Sequence, residues 1–209
     1  MAGSTALAFG ALVAGAVVLD YGVKNAKGAF ATADPLGSTS TPTGTGAGGS
    51  VVTPSPATGG FPAAVDPLPG AVGSRLDQGV DATAQKLLST WAGTVVKAPA
   101  NDPGWKGGGY VAIQSSADMS RVYYVAEGLL PTVKVGDTVT AGQTIANPVA
   151  NPYNGIVGNI EAGLANPSDF GQPLAQVTSA PAAMVTSFYN WLRTLGGPLA
   201  TSTSSAGHA

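Results

Sequence analysis

Residues 133–146 read VKVGDTVTAGQTIA, and within them Val133, Gly136, Val139, Gly142 and Ile145 recur at a three-residue interval. The apolar members are expected to enter a core while each glycine permits a tight bend, at Gly136-Asp137 and at Gly142-Gln143. The segment reads as a strand that doubles back in small steps. Its neighbours keep the β pattern. Residues 94–97, 110–115 (YVAIQS) and 121–126 (RVYYVA) are predicted strands, with Val111 and Ile113 sharing a face. Between the first two lies a Gly-rich loop, 101–109, that contains Pro103 and Trp105. Short strands separated by Gly, Pro, Asn and Asp point to a small antiparallel barrel or sandwich over residues 93–178.

Helical spacing appears on both sides of this β-domain. In residues 75–92 (RLDQGVDATAQKLLSTWA), Leu76, Val80, Ala84, Leu87, Leu88 and Trp91 predict an amphipathic helix ended by Gly93. In residues 179–198, Met184, Phe188, Trp191, Leu192 and Leu195 form one apolar face, and Gly196, Gly197 and Pro198 stop the helix. Residues 199–209 read as a polar tail.

The first third of the chain has a different character. Residues 5–19 (TALAFGALVAGAVVL) are apolar and small, within a predicted N-terminal helix in residues 1–33. About 20 apolar residues cross a bilayer, so this run is short for a span. Ala6, Gly10 and Ala14 line one stripe, with Ala11 and Gly15 on the next, and small residues at that spacing let helices approach closely. An assembly helix or a membrane anchor is expected. Residues 34–74, rich in Gly, Pro, Ser and Thr, are expected to be a linker, because they hold too little apolar surface to offset ordering.

Composition excludes several chemistries. The 209 residues contain no cysteine and one histidine, His208, which rules out disulfides, thiolate metal sites, a histidine zinc cluster and a cysteine nucleophile. A serine triad lacks a base, since His208 sits in the tail. Nine basic and eleven acidic side chains leave a net charge of −2, which gives no reason to hold nucleic acid. Lys106 followed by Gly107, Gly108 and Gly109 precedes no helix, so a phosphate loop is not supported. Glu127 and Glu161 are the only glutamates. With Asp102 they invite comparison with glycosidase acids placed about 5–9.5 Å apart. Nothing local marks them, and they are expected to be solvated strand ends.

The three-residue repeat resembles the V-x-x-G-x-x-V-x-x-G-Q-x-I hammerhead of barrel-sandwich folds: biotinyl and lipoyl carrier domains and lysostaphin-type (M23, LytM-like) zinc peptidases. A carrier needs a lysine at the following hairpin tip, and residues 147–158 contain none. The M23 resemblance runs further. A G-N-x-V-x-I-like strand matches residues 109–113, a Y-A-H-L-like segment matches residues 123–126, and an H-L-H-F-E-like strand matches residues 157–161. The resemblance spans about residues 93–175. It implies a mainly β, barrel-sandwich domain whose metal ligands are lost. Val157 and Asn159 stand where the two histidines of H-x-H would be, and the H-x-x-x-D motif would lie upstream of Gly93, where there is no histidine. The expectation is a chain without enzymatic activity and without cofactor.

The order of segments is similar to that of small virion structural proteins of phages from Ala/Gly-rich hosts. It implies a structural component of a bacteriophage particle (tail, connector or capsid-associated) whose partners are other virion proteins and copies of itself. The alternative is a single-pass envelope protein whose inactive LytM-like module binds peptidoglycan or regulates a wall hydrolase. Lys24 and Lys27 after the apolar run count against that alternative, because they favour a cytoplasmic C-terminal part.

Overall fold

In the computed structural model, which describes residues 60–203, the chain begins with strands β1 (Val72–Leu76), β2 (Val80–Thr83), β3 (Leu87–Leu88) and β4 (Gly93–Lys97). A 3-10 turn at Pro103–Trp105 leads to β5 (Gly109–Ser115), β6 (Val122–Glu127), β7 (Leu129–Pro131), β8 (Thr138–Val139) and β9 (Thr144–Pro148). Then follow β10 (Asn159–Asn166), β11 (Asp169–Pro173), a 3-10 turn at Leu174–Gln176, helix α1 (Pro181–Thr194) and β12 (Ser202–Thr203). The larger sheet has the order β12-β1-β2-β10-β6-β5-β4-β8, with β11 also paired to β10. The smaller has the order β3-β9-β7. Neither sheet closes on itself, so the expected barrel-sandwich is an open one.

Alternation on β5 and β6 divides the interior. Val111, Ile113, Tyr123 and Val125 point into a core shared with Leu87, Leu129 and Ile145 of the smaller sheet. Tyr110, Ala112, Tyr124 and Ala126 point the other way, into a second cluster with Trp105. Successive strand residues face opposite sides, so one buried strand pair supports two cores. Each buried Val, Leu or Ile contributes roughly 1.5–3 kcal/mol.

The repeat at residues 133–146 lies where the two sheets meet. Val139 and Ile145 are fully buried and Val133 packs half-buried against them. Gly136 and Gly142 have φ of +93° and +80°, a region L side chains avoid. Their N–H groups donate to Val95 O and Ser89 O, which pins one bend to β4 and the other to the residue that follows β3.

The structure corrects the predicted helix over residues 75–92, which forms β1, β2 and β3. The same apolar residues serve strands broken by a turn at Asp77, Gln78 and Gly79. A Cβ on Gly79 would stand 2.4 Å from Ala162 O, so glycine lets this turn lie against β10. Pairing of β2 with both β1 and β10 supplies hydrogen bonds that an isolated helix would replace only internally.

The linker ends earlier than expected. Phe61, Ala64, Val65 and Leu68 are buried, and the Val65 N–H donates to Thr90 O while the Thr90 hydroxyl donates to Val65 O. Few apolar groups suffice because backbone bonds to residues 88–90 share the load. The tail also starts later than expected, since β12 runs parallel to β1 at the sheet edge. There Ser74 O accepts from the Thr201 N–H, the Thr201 hydroxyl and the Ser202 hydroxyl. A chain ending at Ala200 is expected to lose about 1 kcal/mol of stability, a Tm drop of roughly 2–4 °C readable by calorimetry. An unchanged Tm would make this edge strand energetically idle.

Helix α1 buries Val185, Phe188, Trp191 and Leu192, and the Trp191 ring stacks on Phe61 at 4.5 Å. Gly196, at φ +95°, turns the chain so that the Gly197 N–H reaches Leu192 O. No described helix is long and apolar enough to cross a membrane. The predicted N-terminal helix with Ala6, Gly10, Ala11, Ala14 and Gly15, linker residues 34–59 and tail residues 204–209 lie outside the described residues.

Candidate functional site

The β1–β2 turn and its pairing with β10 gather acidic side chains. The register sets Asp81 of β2 directly opposite Glu161 of β10, and Asp77 sits at the turn. Carboxylate oxygens of Asp77, Asp81 and Glu161 lie within 4.8 Å of one another. Like charges directly opposed on a sheet repel, and burial strengthens the repulsion. Arg75 of β1 answers it. Its Nε donates to Asp81 Oδ2 at 2.7 Å and its Nη2 to Asp77 Oδ2 at 2.8 Å. Burial works against the guanidinium charge, but Asp81 and Asp77 outweigh it and hold the proton more firmly than usual.

Glu161 is fully buried, and its Oε1 accepts the hydroxyl proton of Tyr124 from β6. Burial first, and then the negative Asp77, push its carboxyl well above the ordinary range, against the lowering effect of the Tyr124 hydrogen bond. Glu161 therefore sits in the cluster with its proton held more firmly than in a free carboxyl, hydrogen-bonded to Asp77 as well as Tyr124. Tyr124 is in turn pushed well above the usual phenol range by burial and by Glu161.

Glu127 closes the neighbouring strand β6. It is 2% exposed and has φ of +83°, a conformation that costs a non-glycine residue on the order of 1–3 kcal/mol. The Asn151 amide holds it there, donating through Nδ2 to Glu127 Oε2 at 2.6 Å and to Asn159 O at 2.7 Å. Burial raises the Glu127 carboxyl to about 7, with Asp81 and Asp77 adding to the rise and Asn151 opposing it. The expectation that Glu127 and Glu161 are solvated strand ends is thus corrected: both are interior groups. Asp102 stands apart from them in an ion pair with Lys97 at 2.7 Å.

The two positions matched to lost ligands have different surroundings. Val157 is 57% exposed, in a loop bridged by Ala150 and Val157. Asn159 is half-buried, and its Oδ1 accepts from Asn154 Nδ2 at 2.7 Å and from Asn151 Nδ2 at 3.2 Å. The hammerhead glycines and valines support the two sheets.

Catalytic zinc is bound through imidazole, thiolate and carboxylate with a position kept open for water. Here the convergent donors are oxygens only, and the oxygens of Asp77 and Asp81 already face a guanidinium. Glu161 is fully buried behind them, its Oε1 taken by the Tyr124 hydroxyl. These residues do not fit a catalytic zinc.

Arg75, Asp77 and Asp81 were not legible as a site in the sequence. A search for H-x-x-x-D passes over D-x-x-x-D at Asp77 and Asp81, and a helical reading of residues 75–92 hides the hairpin that places Arg75 across from both. The spacing of those two aspartates around Gly79 was the available signal.

No family model and no curated protein matches the chain. Among solved structures, it is similar to the catalytic domain of the antimicrobial peptidase lysostaphin from Staphylococcus simulans, at 22% identity and a TM-score of 0.37, over 44% of this chain and 68% of that one. It is similar to the catalytic domain of the prophage-encoded M23 protein EnpA from Enterococcus faecalis, in a mutant form, at 18% identity and TM-score 0.37, over 52% and 97%. A third likeness is to the SpoIIQ–SpoIIIAH pore-forming complex, at 23% identity and TM-score 0.34, over 49% and 70%. Each is a likeness of fold.

Proposed function

We propose that the chain is a non-enzymatic structural component of a bacteriophage or phage-like particle, with a metal-free M23-like β-domain as its rigid module. One observation carries the non-enzymatic part: Arg75 bridges Asp77 and Asp81, so the positive charge their site demands comes from the protein itself. No described histidine stands near them to ligate zinc or act as base, since the chain's one histidine is His208. The assembly part is supported by composition. Only 10% of residues are charged, and a Gly/Pro-rich strap links the β-domain to a small-residue apolar run at the N-terminus. The exposed side chains of Val149, Ile156 and Val157 at one loop add an apolar contact surface.

Two assays test the parts separately. Purified chain incubated with cross-linked wall peptides and zinc is expected to release no new amines, and steady cleavage would end the non-enzymatic reading. Quantitative mass spectrometry of purified particles is expected to find the chain at a fixed ratio to a ring-forming protein. Recovery only in detergent-soluble cell membranes would end the particle reading and favour an envelope protein.

A further inference from the structure

A polar cleft of about 320 Å³ opens next to the carboxylate cluster, with Gln78 on its wall immediately after Asp77. Segments far apart in the chain build it. Lys97 comes from the end of β4, Trp105 from the 3-10 turn, Tyr153 from the loop before β10, Gln172 from β11 and Gln176 from the turn after it. The volume is at the small end for ligand sites, room for one ring and not for a long chain.

The lining selects among chemistries. Lys97 lines the wall with its Nζ 2.7 Å from Asp102 Oδ2, Asp169 adds a further negative charge, and the Lys106 ammonium stands 5.1 Å from the centroid of the Tyr153 ring. Two cations set against two carboxylates leave no surplus positive charge to draw a phosphate. An apolar ligand would desolvate three glutamines and two aspartates without returning hydrogen bonds. A sugar hydroxyl donates and accepts at once, and a glutamine amide offers both an acceptor and two donors, while a carboxylate accepts from two hydroxyls. Tyr153 adds a flat ring suited to the C–H face of a pyranose, opposite the face met by Lys106, whereas Trp105 is 5% exposed and packed on Tyr110 and Tyr124.

The side chains are also oriented in advance. Gln176 Nε2 donates to Gln78 Oε1 at 2.6 Å, and Asn166 Nδ2 donates to Gln172 Oε1 at 3.3 Å. Asp169 Oδ1 accepts from the Gly171 N–H at 3.1 Å, and Asp102 Oδ1 from the Gly104 N–H at 2.9 Å. A Cβ on Gly171 would stand 2.2 Å from Lys97 Nζ, so a side chain there would shift the tip of the lysine. Ordering these groups before contact lowers what binding must offset.

We infer that this cleft binds one neutral saccharide ring, its hydroxyls held by Gln78, Gln172 and Asp169 and its flat face set against Tyr153. The inference rests on the neighbouring carboxylates being non-hydrolytic, and the test reads binding and hydrolysis separately. The full chain, ¹⁵N-labelled, is titrated with triacetylchitotriose and with cellotriose. Saturable shifts at Gln78, Tyr153 and Gln172 are expected with at least one of the two, with a Kd on the order of 1 mM. Gln172→Ala and Tyr153→Ala are each expected to weaken binding at least about tenfold while circular dichroism stays unchanged. No saturable shift up to about 20 mM of either sugar would overturn the inference. So would binding indifferent to both variants, or tighter occupation of the same cleft by tetraglycine. Binding with the sugar intact supports both readings, whereas binding followed by cleavage of the sugar keeps the site and overturns the non-enzymatic function.

Discussion

Arg75→Met is expected to destabilise the domain by about 3 kcal/mol at pH 7, the low end for breaking a buried ion pair, because the Arg75 side chain is 33% exposed and partly screened. The methionine fills much of the same volume, so the loss isolates charge. Asp81 would remain 7% exposed opposite Glu161, with Asp77 beside it and without the guanidinium that bridges the two. A loss of that size lowers Tm by roughly 6–12 °C in a chain of this length. Arg75→Lys is expected to recover only part of it, since an ammonium cannot reproduce the fork that meets two carboxylates at once. Urea denaturation at pH 7 and pH 3 checks the cause. The deficit should shrink at pH 3, where carboxyl groups take up protons and the repulsion fades. An equal deficit at both pH values would mean that Arg75 acts through packing.

Glu127→Gln is expected to remove a pH dependence that the native chain carries. The folded carboxyl has its pKa at about 7, against 4.5 when unperturbed. Below that lower value the group is protonated in folded and unfolded chains alike and contributes no difference. As pH rises the unfolded chain releases the proton first, so stability falls, and the fall is complete once the folded group also ionises above about 7. A difference of about 2.5 at 1.36 kcal/mol per unit amounts to roughly 3 kcal/mol. Glutamine keeps an oxygen for the Asn151 amide and has nothing to titrate. The variant is therefore expected to be more stable than the native chain at pH 8 by up to about 3 kcal/mol and no more stable at pH 4. Parallel stability–pH profiles for the two chains would contradict the buried-acid assignment.

The two-sheet core was legible because its signals are local. Gly136 and Gly142 mark bends by conformational need, and Val111 and Ile113 alternate with Tyr110 and Ala112 along one strand. The C-terminal helix was legible for the same reason, since Phe188, Trp191 and Leu192 recur at helical spacing over a window without breakers. Residues 75–92 misled because Leu76, Val80, Ala84 and Leu87 satisfy a helical period by coincidence with short strands. Only the pairing of β2 with β10, 80 residues later in the register of Asp81 with Glu161, decides between them. The acidic cluster depends on that same pairing, so it vanished with it. Glu127 shows the other limit. Its left-handed backbone and buried carboxyl are imposed by Asn151 and by the strands around it, and nothing in residues 121–128 announces either.

On the proposed non-enzymatic reading, Arg75 and not a metal neutralises Asp77 and Asp81. The most direct measurement is the zinc content of the full chain after equilibration with excess zinc and gel filtration, by elemental mass spectrometry. The predicted result is far less than one zinc per chain, unchanged in Asp81→Asn. One zinc retained per chain, and lost in Asp81→Asn, would contradict it.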